Sequence, residues 1–290
     1  YCREVVRYPS PFDQPAVEVA GAIGDAVRRH GVDLVVPVTD EVLVSLHEYP
    51  DRLPKGVRLA AAPAEVVGLA ASKIATHELA RSLAVPAPRS IVVRKDDEAQ
   101  GVMTSLGSPV VVKPDRSRVI GADGRMRRGQ VSYARSSQDV RDALRRAGQP
   151  VLVQELHPGT GHGIGLVLPR GRPLLAVQHR RLHEVPVSGG ASALRETVPL
   201  DGELMEQAVA LLGSLHWDGA AMVEFKVGAS GSTLMEINGR LWGSLPLAVR
   251  AGADVPAVAA AVHLDEADRV PTDPVDSYAP FVRARNLNLE

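Results

Sequence analysis

One stretch limits the fold more than any other. Residues 219–240 read Gly-Ala-Ala-Met-Val-Glu-Phe-Lys-Val-Gly-Ala-Ser-Gly-Ser-Thr-Leu-Met-Glu-Ile-Asn-Gly-Arg, with a turn cluster at 228–232 between two alternating runs. That pattern predicts a β-hairpin. With the turn centred on residues 229–231, Glu224 falls opposite Glu236. Directly opposed residues hold their Cβ atoms roughly 4.5–5.5 Å apart. Alternation sends Val223, Phe225, Val227, Met235 and Ile237 into a core and leaves Glu224, Glu236, Asn238 and Arg240 on the other face. Opposed carboxylates repel unless something cationic lies between them. Mg²⁺ answers that need, because it takes oxygen ligands from one or two carboxylates, an amide and phosphate. Spacing alone leaves a second reading open, a solvated face on which Lys226 and Arg240 neutralise the glutamates.

Composition narrows the class of protein around that hairpin. At 290 residues, two domains are expected. Lys+Arg (33) and Asp+Glu (34) balance to a net charge of -1, which gives no electrostatic reason to expect nucleic acid or an anionic membrane as partner. No apolar run approaches the ~20 residues that span a bilayer. The single cysteine, Cys2, rules out an intramolecular disulfide and a Cys-based zinc cluster, which favours a reducing, cytoplasmic setting. A first residue Tyr1 rather than Met carries the expectation that something upstream has been removed, a targeting segment included. Aromatics make up only 3%, so the core must be built from Ala, Val and Leu, which suits helices packed on sheets.

The first ninety residues alternate helix and strand. Ala16, Ala20, Ile23 and Val27 mark a helical face ended by Gly31; short strands are expected at 33–38 and 57–62. Such spacing implies parallel βαβ units, whose ligands sit beyond the carboxyl ends of the strands. Thr39, Asp40 and Glu41 occupy that position; they are also good helix-capping residues, and both roles stay open. A helix over 72–84 is capped by Ser72 and stopped by Pro86 and Pro88. Beyond that linker come a strand (90–93), a helix (97–106), a strand (109–113), a polar Arg-rich segment (114–130), a strand (131–134), a helix (137–147) and a strand (150–155). The remainder reads as strands at 164–168 and 174–181, a long loop, a helix over 201–215, the hairpin and terminal helices. Antiparallel pairs make this half α+β, whereas the beginning is α/β.

At this point the residues carry a resemblance. Glu-x12-Glu-x-Asn-x-Arg at the end of a hairpin is similar to the metal-binding signature of the ATP-grasp superfamily. A Lys after Ser72 at a helix start, a strand ending Val-Val-Lys-Pro and a strand ending Val-Gln-Glu-Leu occur in the family's order. The resemblance covers about residues 60–255. It implies a two-lobed ATP-grasp fold preceded by a partial Rossmann-like domain. The partition is then residues 1–88 for the N-terminal domain, 89–156 for the small central lobe and 157–290 for the large lobe with the hairpin.

By the same resemblance, ATP and Mg²⁺ (or Mn²⁺) are the cofactors. Lys73 and Lys113 hold phosphates; Gln154, Glu155 and Leu156 form the hinge that meets the adenine edge; His162 stands near the ribose and Gln178 on a nucleotide-pocket strand. Glu224, Glu236 and Asn238 take the metal, and Arg240 holds the transferred phosphate or the oxyanion. The loop 187–192 with Arg195 resembles a substrate-side loop, in which Arg195 either binds a substrate carboxylate or pairs with Glu196 or Asp201. The segment 114–130 stands where the family has a Gly-rich phosphate loop. It carries Arg116, Arg118, Arg125, Arg127 and Arg128 instead, leaving a phosphate loop and a solvated basic loop as alternatives.

Other nucleotide and hydrolase motifs are missing: there is no Gly-x4-Gly-Lys-[Ser/Thr], Gly159, Gly161 and Gly163 do not make Gly-x-Gly-x-x-Gly, and no nucleophile elbow occurs. Ser244, where the biotin carboxylase branch has an acid, argues against that branch. The resemblance thus implies a ligase that activates a carboxylate as an acyl phosphate and joins it to an amine or another nucleophile. A small-molecule kinase and a non-catalytic nucleotide-binding module are the alternatives. Small-molecule carboxylates and amines are the expected partners, with room for a homodimer.

Overall fold

The computed structural model describes residues 2–185, 190–270 and 275–287. The N-terminal unit holds α1 (Ala16–His30), β1 (Leu34–Val35), α2 (Asp40–Glu48), β2 (Arg58–Leu59), α3 (Ala64–Ala71) and α4 (Lys73–Ser82). Gly31 ends α1 in the left-handed region, at φ 59°, and its N–H returns to Val27 O. β1 and β2 pair in parallel, as the alternating pattern implies, but each is shorter than expected. Pro37 has no N–H to extend the ladder, and Val36 and Val38 are exposed. Thr39 Oγ1 caps α2 by accepting from Val42 N.

The small lobe contains β3 (Ser90–Val93), α5 (Val102–Leu106), β4 (Val110–Pro114), β5 (Arg118–Ile120), β6 (Met126–Arg128), β7 (Ser132–Ala134), α6 (Ser137–Ala147) and β8 (Val151–Glu155). Its four-stranded antiparallel sheet runs β3-β8-β4-β7. Val110, Val112, Val151 and Val153 point into a core with Val140 and Leu144 of α6. Alternation therefore turns Lys113, Leu152 and Gln154 to the other side. The helix expected over 97–106 is broken: a 3-10 turn covers Asp96–Ala99, and Gly101 at φ 80° precedes α5. The Arg-rich segment, read as a loop, contains the β5/β6 hairpin instead.

The large lobe comprises β9 (Thr160–Leu168), β10 (Leu175–Val185), β11 (Ala191–Thr197), α7 (Gly202–Ser214), β12 (Gly219–Gly228), β13 (Gly231–Asn238), α8 (Leu245–Arg250), α9 (Val255–His263) and β14 (Arg283–Arg285). Six antiparallel strands run β13-β12-β9-β10-β11-β14. One face packs Ile164, Leu166, Val223 and Phe225 against Leu211 and Leu212 of α7. The other packs Val167, Val177, Met222 and Trp242 against α8 and α9. β11 lies where a long loop was expected. Its sequence hides the strand because both faces carry buried polar groups: Arg195 and Thr197 on one side, Glu196 on the other.

β9 has a bare stripe on the α8/α9 face. A Cβ on Gly163 would stand 2.3 Å from His179 Cε1, and one on Gly165 would stand 2.2 Å from Trp242 Cζ2. Gly165→Ala should therefore destabilise the chain by about 1–3 kcal/mol, the usual cost of overpacking. Gly21→Ala inside α1, where nothing lies within 4 Å, should instead stabilise by up to about 1 kcal/mol. Urea denaturation of both variants beside the parent checks the contrast.

Candidate active site

The hairpin places Glu224 opposite Glu236, as alternation requires, by a slightly different route. Gly228 pairs with Gly231, so Ala229 and Ser230 form the turn, with Gly231 at φ 103°. That register alone would misalign the glutamates by one residue. A β-bulge between Glu224 and Phe225 restores the match and makes Met235 the extra residue. Leu234 thus takes the core position expected for Met235, and the Met235 carbonyl accepts from Lys113 Nζ at 3.5 Å.

Glu224 is enclosed. Burial drives its pKa up, Arg181 pulls it back down, and Glu236 pushes it up again. The Glu224 carboxylate accepts from the Arg181 guanidinium and from Asn238 Nδ2 at 3.2 Å, while the same amide nitrogen is 3.5 Å from Glu236 Oε1. Donors from Arg181 and Asn238 therefore converge where two carboxylates need a positive charge. Among the described residues no group of three or more His, Cys, Asp and Glu side chains gathers. Two carboxylates and one amide suit Mg²⁺, which keeps waters and phosphate oxygens in its remaining positions; they do not suit a closed zinc site.

Two cavities meet at this hairpin. The first, about 260 Å³, lies between the N-terminal unit, the small lobe and the edge of β13, and is lined by Lys73, His77, Gln154, Glu236, Asn238 and Arg240. Lys73 is fixed from two sides: its N–H donates to Asp115 O at 2.9 Å, and its Nζ to Ser117 Oγ at 2.8 Å. Ser72 caps α4 through Ala75 N, and Asp115 Oδ1 accepts from Ser72 Oγ and Ile74 N. Gln154 Nε2 donates to Ser90 Oγ at 3.0 Å, whereas Gln154 Oε1 and His77 Nδ1 are buried with no partner. Both unpartnered atoms belong to residues of this cavity. Lys113 is 7% exposed. Burial lowers its pKa to about 8, Glu236 and Glu224 hold it up in part, and Lys73 lowers it further.

Arg240 is held flat by Asp40, which accepts from Nε at 2.6 Å and from Nη2 at 2.8 Å. Glu41 accepts from Arg118 Nε at 2.5 Å. The Thr39, Asp40, Glu41 stretch thus does both things its sequence allowed: the threonine caps a helix, and the acids reach the site. Arg118 and Arg128 flank the Phe12 ring at 5.8 and 5.1 Å from its centroid. Met126 N donates to Pro11 O, and Ala16 N to Gly124 O. The Arg-rich hairpin is docked on the N-terminal unit.

The second cavity, about 230 Å³, opens on the sheet face and includes His179, Arg181, Arg195, Glu224, Asn238 and Arg240. Complete burial pushes the His179 pKa down to about 3, helped by Arg181 and Arg195. Arg195 does not pair with Glu196, which accepts from Arg180 and Arg283 instead, nor with Asp201, whose side chain caps α7. Of the substrate-side loop, residues 187–189 lie outside the described residues; Gly190 O accepts from Arg181 Nη1 at 3.2 Å.

Of the residues expected at the nucleotide, Glu155, Leu156, His162 and Gln178 are not among those that line the first cavity. Glu155 is tied to Arg89 N and Nε, and Leu156 is exposed. Gln178 Nε2 meets His162 Nδ1 at 3.0 Å, and Gln178 Oε1 accepts from Asp201 N at 2.7 Å, so this pair secures the start of α7 on the opposite sheet face. Sequence reading passed over Arg181, His77, Asp40's grip on Arg240 and the glycines of β9. The glycines had a signal: Gly161, Gly163 and Gly165 alternate with His162, Ile164 and Leu166, which marks one naked face of a strand.

Two lobes, a lysine on the small-lobe sheet and a carboxylate hairpin on the large one define the architecture. The chain has the ATP-grasp fold. Its residues 147–283, just under half of the chain, match the family model described as "ATP-grasp in the biosynthetic pathway with Ter operon". A biotin carboxylase from Campylobacter jejuni superposes at TM-score 0.69 and 15% identity, covering 90% of this chain and 60% of that one. The biotin carboxylase domain of a Hydrogenobacter thermophilus 2-oxoglutarate carboxylase, in complex with MgADP and bicarbonate, gives 0.67 and 16%, covering 92% of this chain and 61% of that one. D-alanine–D-alanine ligase from Bacillus anthracis, complexed with ATP, gives 0.59 and 17%, covering 86% and 84%. No curated protein matches the chain by sequence. This chain spans about three fifths of the two carboxylase chains. Among the described residues no helix is long and apolar enough to cross a membrane.

The buried lysine has a measurable signature. The folded chain releases the Lys113 proton near pH 8, while an unfolded lysine keeps it to about pH 10.4. Between those values the unfolded state binds more protons, so this site's contribution to stability rises with pH. Lys113→Met should be more stable than the parent at pH 7, by on the order of 2–3 kcal/mol. The advantage should shrink towards pH 10. Urea melts of both proteins at the two pH values test this; an equal gap at both would mean that Lys113 carries its charge without cost.

Proposed function

We propose that this chain is an ATP-dependent ligase that activates a carboxylic acid as an acyl phosphate and joins it to an amine. One observation carries the reading: Glu224 and Glu236 face each other beside Asn238 and Arg240, on the rim of a cavity that also holds Lys73. Fixed cations around opposed acids are what a triphosphate and its metal require. The unpartnered Gln154 Oε1 and His77 Nδ1 supply an acceptor for an exocyclic amine and a further polar contact for a base. The solved neighbours that carry ATP or MgADP in this fold support the same reading, and the family description adds a biosynthetic setting.

The chemistry asked of these residues is alignment and charge neutralisation. The acid's oxygen attacks the terminal phosphorus of ATP, the bond to the bridging oxygen breaks, and ADP leaves. The amine nitrogen then attacks the acyl carbon, gives up a proton, and expels phosphate. Glu224, Glu236 and Asn238 would hold Mg²⁺, whose charge offsets the phosphate oxygens. Lys73 and Lys113 face the same oxygens, and Arg240, set by Asp40, offers a planar pair of donors to the transferred group. Cover from the small lobe and the Arg118 hairpin keeps water from the labile intermediate.

Hydroxylamine should trap an acyl hydroxamate when the protein is given ATP, Mg²⁺ and its acid. A stable phosphorylated product formed without an acceptor would show a kinase instead. Glu236→Gln should separate stability from turnover. In metal-free buffer the variant should be unchanged or more stable by about 0.2–1 kcal/mol, since a like-charge pair is relieved. ADP release should fall about a hundredfold or more. Lost stability with full activity would make the pair structural and remove the metal site.

A further inference from the structure

Arg195 has a problem that the rest of the site does not solve. It is 7% exposed, its Nε is buried without a hydrogen-bond partner, and its Nη1 donates only to Ser192 O at 3.3 Å. No carboxylate pairs with it among the described residues. A guanidinium taken out of water without a paired anion is costly, so the cavity in front of it is suited to one. Arg181 stands directly opposite Arg195 in the β10/β11 register and lines the same cavity. It reaches across β9 because Gly161 offers no side chain; a Cβ there would stand 2.8 Å from Arg181 Cδ. At the far end its guanidinium lies on Glu224 and on Glu184.

Glu224 is thus claimed by two cations that repel each other: Arg181, which holds its Oε2, and the divalent ion that the hairpin would take. We propose that Arg181 and Arg195 together bind the carboxylate of the acid substrate, and that Arg181 is released to do so when a divalent cation takes Glu224. This rests on the ligase reading for the identity of the anion as an acid substrate. Charge counting supports it. With Glu224 committed to metal, Arg181 keeps Glu184 while Arg195 has no carboxylate, and the one positive charge left over is what a monocarboxylate neutralises. The cavity of about 230 Å³, walled by Trp242, suits a small acid. It lies across Asn238 and Arg240 from the cavity that holds Lys73, so the acid and the nucleotide approach Arg240 from opposite sides.

The test uses the full chain, with Mn²⁺ alone followed by electron paramagnetic resonance and sodium acetate followed by tryptophan fluorescence, Trp242 being in the cavity wall. Acetate should bind about tenfold more tightly with Mg²⁺ than without, the value of one freed charge-assisted contact. Arg181→Gln should tighten Mn²⁺ binding, because its competitor is gone, and should abolish the Mg²⁺-dependent gain for acetate. Arg195→Gln should weaken acetate about tenfold and leave Mn²⁺ affinity where it was. Acetate binding that ignores Mg²⁺ in the parent chain, or weaker Mn²⁺ binding in Arg181→Gln, would overturn the proposal. Binding of Mg·ATP is measured separately. Its absence, with the acetate and Mn²⁺ results as expected, would remove the ligase reading and keep the metal-released arginine pair.

Discussion

Two carboxylates, Glu224 and Glu236, face each other across one rung of a β-ladder, and the surrounding structure answers that repulsion. Arg181 crosses β9 to reach Glu224, Asn238 turns its amide nitrogen to both acids, and Lys113 approaches from the small lobe. None of these groups is free of further constraint. Lys113 is buried deeply enough to lose much of its hold on its proton, and Arg181 is divided between Glu224 and Glu184. The hairpin is stable because several incomplete neutralisations overlap. A site balanced this way would answer an added divalent ion, on the proposed reading, by rearranging its cations.

The same electrostatics ties the three parts of the chain together. Asp40 of the N-terminal unit grips Arg240 beside the hairpin, Glu41 grips Arg118 of the small lobe, and Asp115 of the small lobe holds the first turn of α4. The ion pairs among these contacts are partly buried, so salt screens them less than it screens an exposed pair. They also sit around the first cavity, where a bound ligand adds to the same network. The N-terminal unit therefore helps to build the site, and its Asp40 is one of the residues that define Arg240's orientation.

How far the site could be read from sequence follows strand parity. Glu224, Glu236 and Asn238 were legible because two alternating runs flank a recognisable turn; the turn is one residue shorter than expected, and the bulge at Met235 brings the glutamates back opposite each other. The bulge at Met235 was not legible, since nothing in Thr-Leu-Met-Glu distinguishes a paired residue from an extra one. His162 and Gln178 show the other side. Both lie on the face shared with Ile164 and Ala176, and that parity was present in the sequence, so resemblance by position outweighed a pattern that pointed away from the site. Glu155 differs from Gln154 for the same reason: it is one residue further along β8, hence on the opposite face. β11 escaped because Arg195, Glu196 and Thr197, most of its buried residues, are polar and leave no apolar alternation. Arg181's role escaped because it depends on Gly161, a side chain made important by being absent.

The contrast between two arginines is what would let this face of the sheet take the two substrates of the proposed reaction. Arg240 is pinned by a bidentate carboxylate at 2.6 and 2.8 Å from outside the sheet, so its guanidinium plane is set before anything binds. Preorganised charge of that kind acts on a developing anion without reorganisation. Arg181 has the opposite design, with its partners on the sheet itself and one of them, Glu224, a ligand of the proposed metal. A fixed guanidinium at the boundary of two cavities and a releasable one inside the second give different physical tasks to chemically identical side chains. The difference lies in which acid faces each: Asp40, with no other side-chain partner among the described residues, for Arg240, and Glu224, already opposed to Glu236, for Arg181.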